Sequence, residues 1–190
     1  MRYAPTHKEE ARSRLVEVTG ALAKQKGFAA TGVDGLMAAA GMTSGAFYSH
    51  FRSKGELLEA IVAHELQRST QLFQAASRAQ LLEVVRGYLS EAHVAHPESG
   101  CAVPVLAPEI ARAGLATQQA FAQGVQGFHG QLQALLGDET AAWSLMAQLV
   151  GAVATARALP PGPARQALLA GVLHQVEQLL KSDAAPREDL

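Results

Sequence analysis

Residues 41–58 read GMTSGAFYSHFRSKGELL. Gly41 follows a short apolar run and stands where a glycine closes a helix. Thr43 and Ser44 then offer hydroxyls for the start of another. The segment they open is very short and carries Tyr48 and His50. It runs at once into Ser53-Lys54-Gly55-Glu56, where a hydroxyl and an acid three residues apart make a further helix start.

Two helices joined by so tight a turn, the second one short, aromatic and edged with polar and basic groups, meet the requirements of a helix-turn-helix. In that motif the second helix enters the major groove of DNA. The residues upstream complete a three-helix module. Thr6 and Glu9 have capping-box spacing for a first helix, with Ala11, Leu15, Val18 and Leu22 on one face. Gly27 is its expected stop and Phe28 a hydrophobic anchor after it. Thr31 and Asp34 repeat the cap for a second helix that buries Val33, Leu36, Met37 and Ala40. Phe47 and Phe51 pack the third onto both.

Charge follows the same division. From Met1 to Gly55 eight bases face four acids, a net of +4, and the rest of the chain carries −5, though the total is only −1. A basic head on an acidic body points to a polyanion-binding module joined to something else.

The stretch resembles the signature of the TetR/AcrR family of bacterial transcriptional regulators, closely over about the first sixty residues and beyond them only in all-helical outline. The resemblance implies that Tyr48, His50 and Lys54 touch the phosphate backbone. It implies that Thr43, Ser44, Gly45, Ala46 and Ser49 lie closest to bases, their small size allowing a close approach. Thr31 is expected to offer its hydroxyl and a backbone N–H to a phosphate. One position departs from the family pattern. Gly35 lies inside the second helix where a larger residue is usual, and a glycine there costs about 1 kcal/mol against alanine.

The remaining chain also reads as helix. Of its 190 residues 48% are apolar, enough for a sizeable core, and β-branched residues are sparse. Helices are expected over about 54–75, 78–96, 101–113, 115–136, 138–158 and 164–181. Pro104 and Pro108 disturb the 101–113 segment, Asp138 caps the next to last, and Pro160-Pro161-Gly162-Pro163 marks a break. The fold class expected is therefore all-α, about nine helices, with a DNA-binding domain over 1–55, a ligand-binding and dimerisation domain over 56–181, and a disordered tail over 182–190.

In the last two helices, the small-residue run Gly151–Ala156 and the broad apolar stripe around Leu169, Val172 and Val176 leave two partners to satisfy. One is the chain's own body and the other a twin, so Ala152, Leu169, Val172 and Val176 are candidate homodimer residues. The segment Ala113–Gly137 lacks any charged residue and holds six glutamines. That suits a helix beside a ligand, with Gln119, Gln123 and the nearby Cys101 as candidate contacts for an unidentified small-molecule effector. Gly124, Gly127 and Gly130 recur every three residues and allow close helix packing.

Other chemistry is weaker. Cys101 is the only cysteine, which excludes an intrachain disulfide and fits a reducing cytoplasm. As a thiol near a helix start it is also a candidate electrophile sensor. His93, His96 and Cys101 have spacings a metal could use, with Glu91 or Glu98, but no cofactor or metal is expected. His129 reads as a hydrogen-bonded core residue. No nucleophile elbow, dinucleotide fingerprint or metalloprotease motif is present, so an enzyme is not expected. The N-terminus lacks the apolar region of a signal peptide, and the charge-free stretches are too polar or too short to span a membrane. The expected partners are operator double-stranded DNA, a second copy of the chain and the effector. The main alternative is a helical protein-interaction module without DNA binding.

Overall fold

The computed structural model describes residues 5–182, and side chains from Lys8 to Lys181. Ten α-helices and one 3-10 turn account for the regular structure, and no strand occurs among the described residues. In chain order they are α1 (Pro5–Lys26), α2 (Val33–Ala39), the 3-10 turn Ser44–Ala46, α3 (Phe47–His50), α4 (Lys54–Leu72), α5 (Arg78–Tyr88), α6 (Glu91–Ala95), α7 (Val103–Ile110), α8 (Leu115–Leu136), α9 (Glu139–Ala158) and α10 (Pro163–Ser182). The count exceeds the expected nine because the 78–96 segment is two helices. Ser90 ends the first by donating its hydroxyl to the Gly87 carbonyl at 2.7 Å. It starts the second by accepting the His93 N–H at 3.1 Å. The Thr6 cap and residues 183–190 of the expected tail lie outside what is described, and Ser182 closes α10.

The chain forms two compact units, each drawn from separated segments. One comprises Met1–Arg68 and Pro97–Val125, the other Ser69–His96 and Gln126–Leu190. In the first, Leu15, Phe28, Leu36, Met37, Phe47, Phe51, Leu57 and Ile61 are buried as a single apolar centre. The packing of α1 differs from expectation. Its buried line is Leu15, Val16, Thr19, Gly20, Ala23 and Lys24, while Val18 and Leu22 are only half-buried. Lys24 is part of that line: its ammonium donates to Glu65 Oε2 of α4 at 2.7 Å and to the Gly100 carbonyl at 3.1 Å. Both side chains of the pair are almost wholly excluded from solvent. Burial holds Lys24 below the usual lysine value, and the hydrogen bond and charge of Glu65 oppose that shift. Thr19 satisfies its hydroxyl on the Leu15 carbonyl at 2.6 Å, and Gly20 leaves room for the Glu65 carboxylate.

In the second unit Phe73 packs between Phe128, tilted with ring centroids 4.4 Å apart, and Tyr88, edge-on at 5.4 Å. Leu81, Val85, Leu132, Leu145, Leu149, Val153 and Val176 surround them. Arg78 donates to the carbonyls of Leu135 and Leu136 at 3.2 and 3.0 Å, closing the C-terminus of α8 with a cation. Asp138 caps α9 through the Ala141 N–H at 2.9 Å, as its sequence position predicts.

Candidate nucleic-acid interface

The turn between α2 and the 3-10 segment is a Schellman closure. The Gly41 N–H donates to Ala38 and the Met42 N–H to Met37, at 3.0 and 2.9 Å, with Gly41 at φ +71°. A side chain at that angle would be strained, so the glycine is what permits the reversal. The following segment then divides its residues by face. Phe47 and Phe51 are buried, with ring centroids 6.0 Å apart. Thr43, Ser44, Gly45, Tyr48 and Ser49 are exposed, and Ala46 and His50 are half-buried. Tyr48 is 74% exposed although its ring edges against Phe47 at 5.2 Å. Thr43 occupies the cap position without using its hydroxyl, which leaves that hydroxyl on the exposed surface.

The opening of α4 behaves as its sequence predicts. Ser53 Oγ accepts the Glu56 N–H at 3.1 Å, and Glu56 Oε2 reaches back to the Arg52 N–H at 2.7 Å. Lys54, in the first turn, donates to the Ala29 carbonyl at 3.2 Å and lies 4.8 Å from the Phe28 ring centroid. Thr31 corrects the expectation placed on it. It does not cap α2, whose N-cap position is Gly32 without a side-chain bond. Its hydroxyl instead turns back to the Gly27 carbonyl at 3.0 Å. The same posture fits it to Gly35, where an added Cβ would come within 3.2 Å of Thr31 Cγ2. The departure at Gly35 is thus matched by a neighbour that fills its space.

His50 is held below the ordinary histidine value of 6.5, first by burial and then by the charges of Lys8 and Arg12. Its Nδ1 is buried without a hydrogen-bond partner. The unfolded chain therefore binds a proton that the folded one resists. The His50 contribution to stability is complete above 6.5 and is lost as pH falls below it toward the folded value. The loss of thermal stability between pH 7 and pH 5.5 is expected to be smaller in His50→Gln than in the parent, as melting curves at both pH values would register.

Residues 15–61 match the sequence model of bacterial regulatory proteins of the tetR family. The chain has the fold of a TetR-family transcriptional regulator. Solved structures agree. A TetR-family regulator from Cytophaga hutchinsonii superposes with a TM-score of 0.77 at 18% identity, covering 96% of this chain and 98% of that one. A TetR regulator from Legionella pneumophila gives 0.75 at 17% identity, covering 95% and 100%. The reduced form of Escherichia coli NemR gives 0.74 at 24% identity, covering 90% and 97%. These likenesses establish the fold. The comparison with curated proteins finds no match.

Within this TetR fold the other candidate residues are placed as follows. Cys101 is a free, buried thiol. It precedes Ala102, which with Val62, Leu66, Val103, Leu106, Ile110 and Phe121 lines an apolar cavity too tightly closed to admit a water molecule. Gln119 and Gln123 are exposed and do not line it. Residues two apart on a helix point about 200° apart, so with Phe121 turned to the cavity both glutamines turn away. None of the seven lining residues was among the candidate contacts, which were Cys101, Gln119 and Gln123. Of the glycine series, Gly124 abuts Leu66 and Gly127 abuts Thr70, while Gly130 has nothing near it.

Ala152, Leu169 and Val176 are buried in the packing of their own unit, and Val172 is half-buried. The side chains that α9 and α10 leave exposed are others, among them Ala147, Gly151 and Thr155, and Ala167, Ala170 and His174. His129 is a buried core residue as expected, stacked on Trp143 at 4.0 Å with Nε2 donating to the Glu139 carbonyl at 3.3 Å. His93 Nδ1 donates to the Tyr88 carbonyl at 2.6 Å. Among the described residues no group of three His, Cys, Asp or Glu is placed to hold a metal ion, and no helix is long and apolar enough to cross a membrane.

Proposed function

We propose that the protein is a ligand-responsive repressor acting in the cytoplasm, which binds operator double-stranded DNA as a homodimer and leaves it when a small effector binds. Residues 1–55 carry the DNA contacts and 56–181 the effector and dimer contacts. The observation that carries this reading is the sorting of side chains on the 3-10 turn and α3. A phenylalanine pair is buried behind a surface of small hydroxyl-bearing and glycine residues, with an exposed tyrosine and a lysine at the flank. Small groups suit contact with base edges, and Tyr48, His50 and Lys54 suit phosphates, whereas Thr31 already donates its hydroxyl to Gly27 and its N–H to Phe28. A labelled duplex from upstream of the protein's own gene tests it. Lys54→Ala should weaken binding to every sequence alike and lower the log–log salt slope by about 0.9. A changed base preference at an unchanged slope would refute the phosphate role. Failure of the parent to bind DNA at any salt would favour the protein-interaction alternative.

The cavity supports an uncharged, apolar effector. Its lining holds no charged or hydrogen-bonding side chain, but as it stands it is closed even to a molecule the size of water. Any effector there therefore requires the walls to move. Cys101 beside that wall keeps the thiol-sensor variant in view. Release of DNA by quinones or aldehydes with a mass increase, absent in Cys101→Ser, would select it. Release without a mass increase selects reversible binding.

The exposed stripes of α9 and α10 support the twin interface. Ala147, Gly151 and Thr155 succeed one another at single turns, and beyond Gly151 and Gly171 the space is open. Small, neutral side chains there let two helix pairs approach closely. Gly151→Glu combined with Ala170→Glu places charge on residues already exposed in one chain, so folding should survive. Sedimentation should then shift from dimer to monomer at micromolar concentration. A parent that sediments as a monomer would remove the dimer from the proposal.

A further inference from the structure

A carboxylate from outside the helix-turn-helix holds the turn on which one of its phosphate-contact candidates, Lys54, depends. Glu109, next to the last residue of α7, accepts the Phe28 N–H on Oε1 at 3.0 Å and the Ala29 N–H on Oε2 at 2.7 Å. These are successive backbone donors just after Gly27, whose φ is +81°. Successive N–H groups beside such a turn form a concave anion-binding nest, and Glu109 occupies it. A Cβ at Gly27 would lie 3.1 Å from Glu109 Oε1, so the glycine also admits the carboxylate. The same three residues hold Lys54 and Thr31. Lys54 donates to the Ala29 carbonyl and sits over the Phe28 ring, and Thr31 donates to the Gly27 carbonyl.

We infer that Glu109 is a positioning residue for DNA binding: it fixes the Gly27–Ala29 turn, and the turn fixes Lys54 for phosphate. The inference rests on the DNA-binding reading above and assigns a role to α7 in it. Glu109 lies between Leu106 and Ile110, both in the cavity wall. The other end of this segment is held to α1 as well, through the Gly100 carbonyl and Lys24. The segment that walls the cavity is therefore fastened at both ends to the DNA-binding module, and a shift of α7 reaches Lys54 through Glu109.

Charge alone and positioning predict opposite signs. Removing an acid near a DNA-binding surface strengthens binding if only net charge matters. If Glu109 positions the turn, removal weakens it. The probe is a labelled double-stranded oligonucleotide of arbitrary sequence at low salt, where phosphate contacts dominate. Glu109→Ala should bind more weakly than the parent, Glu109→Gln, which keeps one carbonyl acceptor, should fall between them, and Glu17→Ala, an exposed acid on α1, should bind equally or more tightly. The losses from Glu109→Ala and Lys54→Ala should not multiply, because one acts through the other. If Glu109→Ala is unstable, Glu109→Gln and its pair with Lys54→Ala carry the same comparison. Binding as tight as the parent's in the Glu109 variants, or losses that multiply with Lys54→Ala, overturns the positioning role while leaving the DNA-binding reading intact. Absence of duplex binding by the parent overturns both.

Discussion

Replacing Lys24 by methionine is expected to destabilise the protein by about 3–5 kcal/mol, because it leaves the Glu65 carboxylate buried without its cation. The ammonium is wholly enclosed and Glu65 is nearly so. Arg68 approaches Glu65 only at 3.5 Å from a side chain that is 45% exposed, so it replaces little of what is lost. The double variant Lys24→Met with Glu65→Leu should recover most of the loss, since apolar replacement of a whole buried pair is often neutral or favourable. Urea unfolding of the parent, each single variant and the double variant measures this. A single Lys24→Met variant within about 1 kcal/mol of the parent would mean that water or a rearranged partner reaches Glu65. The pair joins α1 to α4 and, through the Gly100 carbonyl, to the segment before α7. The loss should therefore show in DNA binding as well as in stability.

Gly124→Ala should cost about 1–3 kcal/mol, against the gain of about 1 kcal/mol that the same change gives in an unobstructed helix. The added Cβ would fall 2.4 Å from Leu66 Cβ and 2.5 Å from its Cδ1. Because the nearest atom is the Cβ of Leu66, trimming that residue to alanine does not remove the clash. Only separation of α4 from α8 would, and Leu66 is buried in the same core. Gly130→Ala is the internal control on the same helix. Nothing lies within 4 Å of its added Cβ, so it should stabilise by about 1 kcal/mol or less. Thermal melts of the two variants should move in opposite directions. Equal shifts would show that α8 can yield at Gly124.

How far the sequence could be read follows from which interactions are local. Gly41, Ser53 with Glu56, and Asp138 act on backbone groups within three or four residues, so the turn, the α4 start and the α9 cap were legible from spacing alone. The apolar stripe Leu57, Leu58, Ile61, Val62 and Leu66 is likewise a repeat along one helix, and all five are buried. With the short aromatic α3 they determined the helix-turn-helix and the all-helical class.

What the sequence could not decide depends on residues far apart in the chain. Lys24 counts as one more surface base until Glu65, forty-one residues later, is brought against it. It lies on the buried line of α1, where apolar periodicity alone would not place a lysine. Glu109 is an unremarkable acid until it meets Phe28 and Ala29 across about eighty residues of sequence. Thr31 has the spacing of a cap but spends its hydroxyl on Gly27, and Gln119 and Gln123 point away from a cavity that Phe121 faces. Ala152, Leu169 and Val176 are buried within their own chain, and the face that α9 leaves exposed is the small-residue one beside them. Local hydrogen bonds and helical periodicity are written in short windows of sequence. Which face of each helix is used, and which charge is buried, is set only when distant segments compete for the same interior.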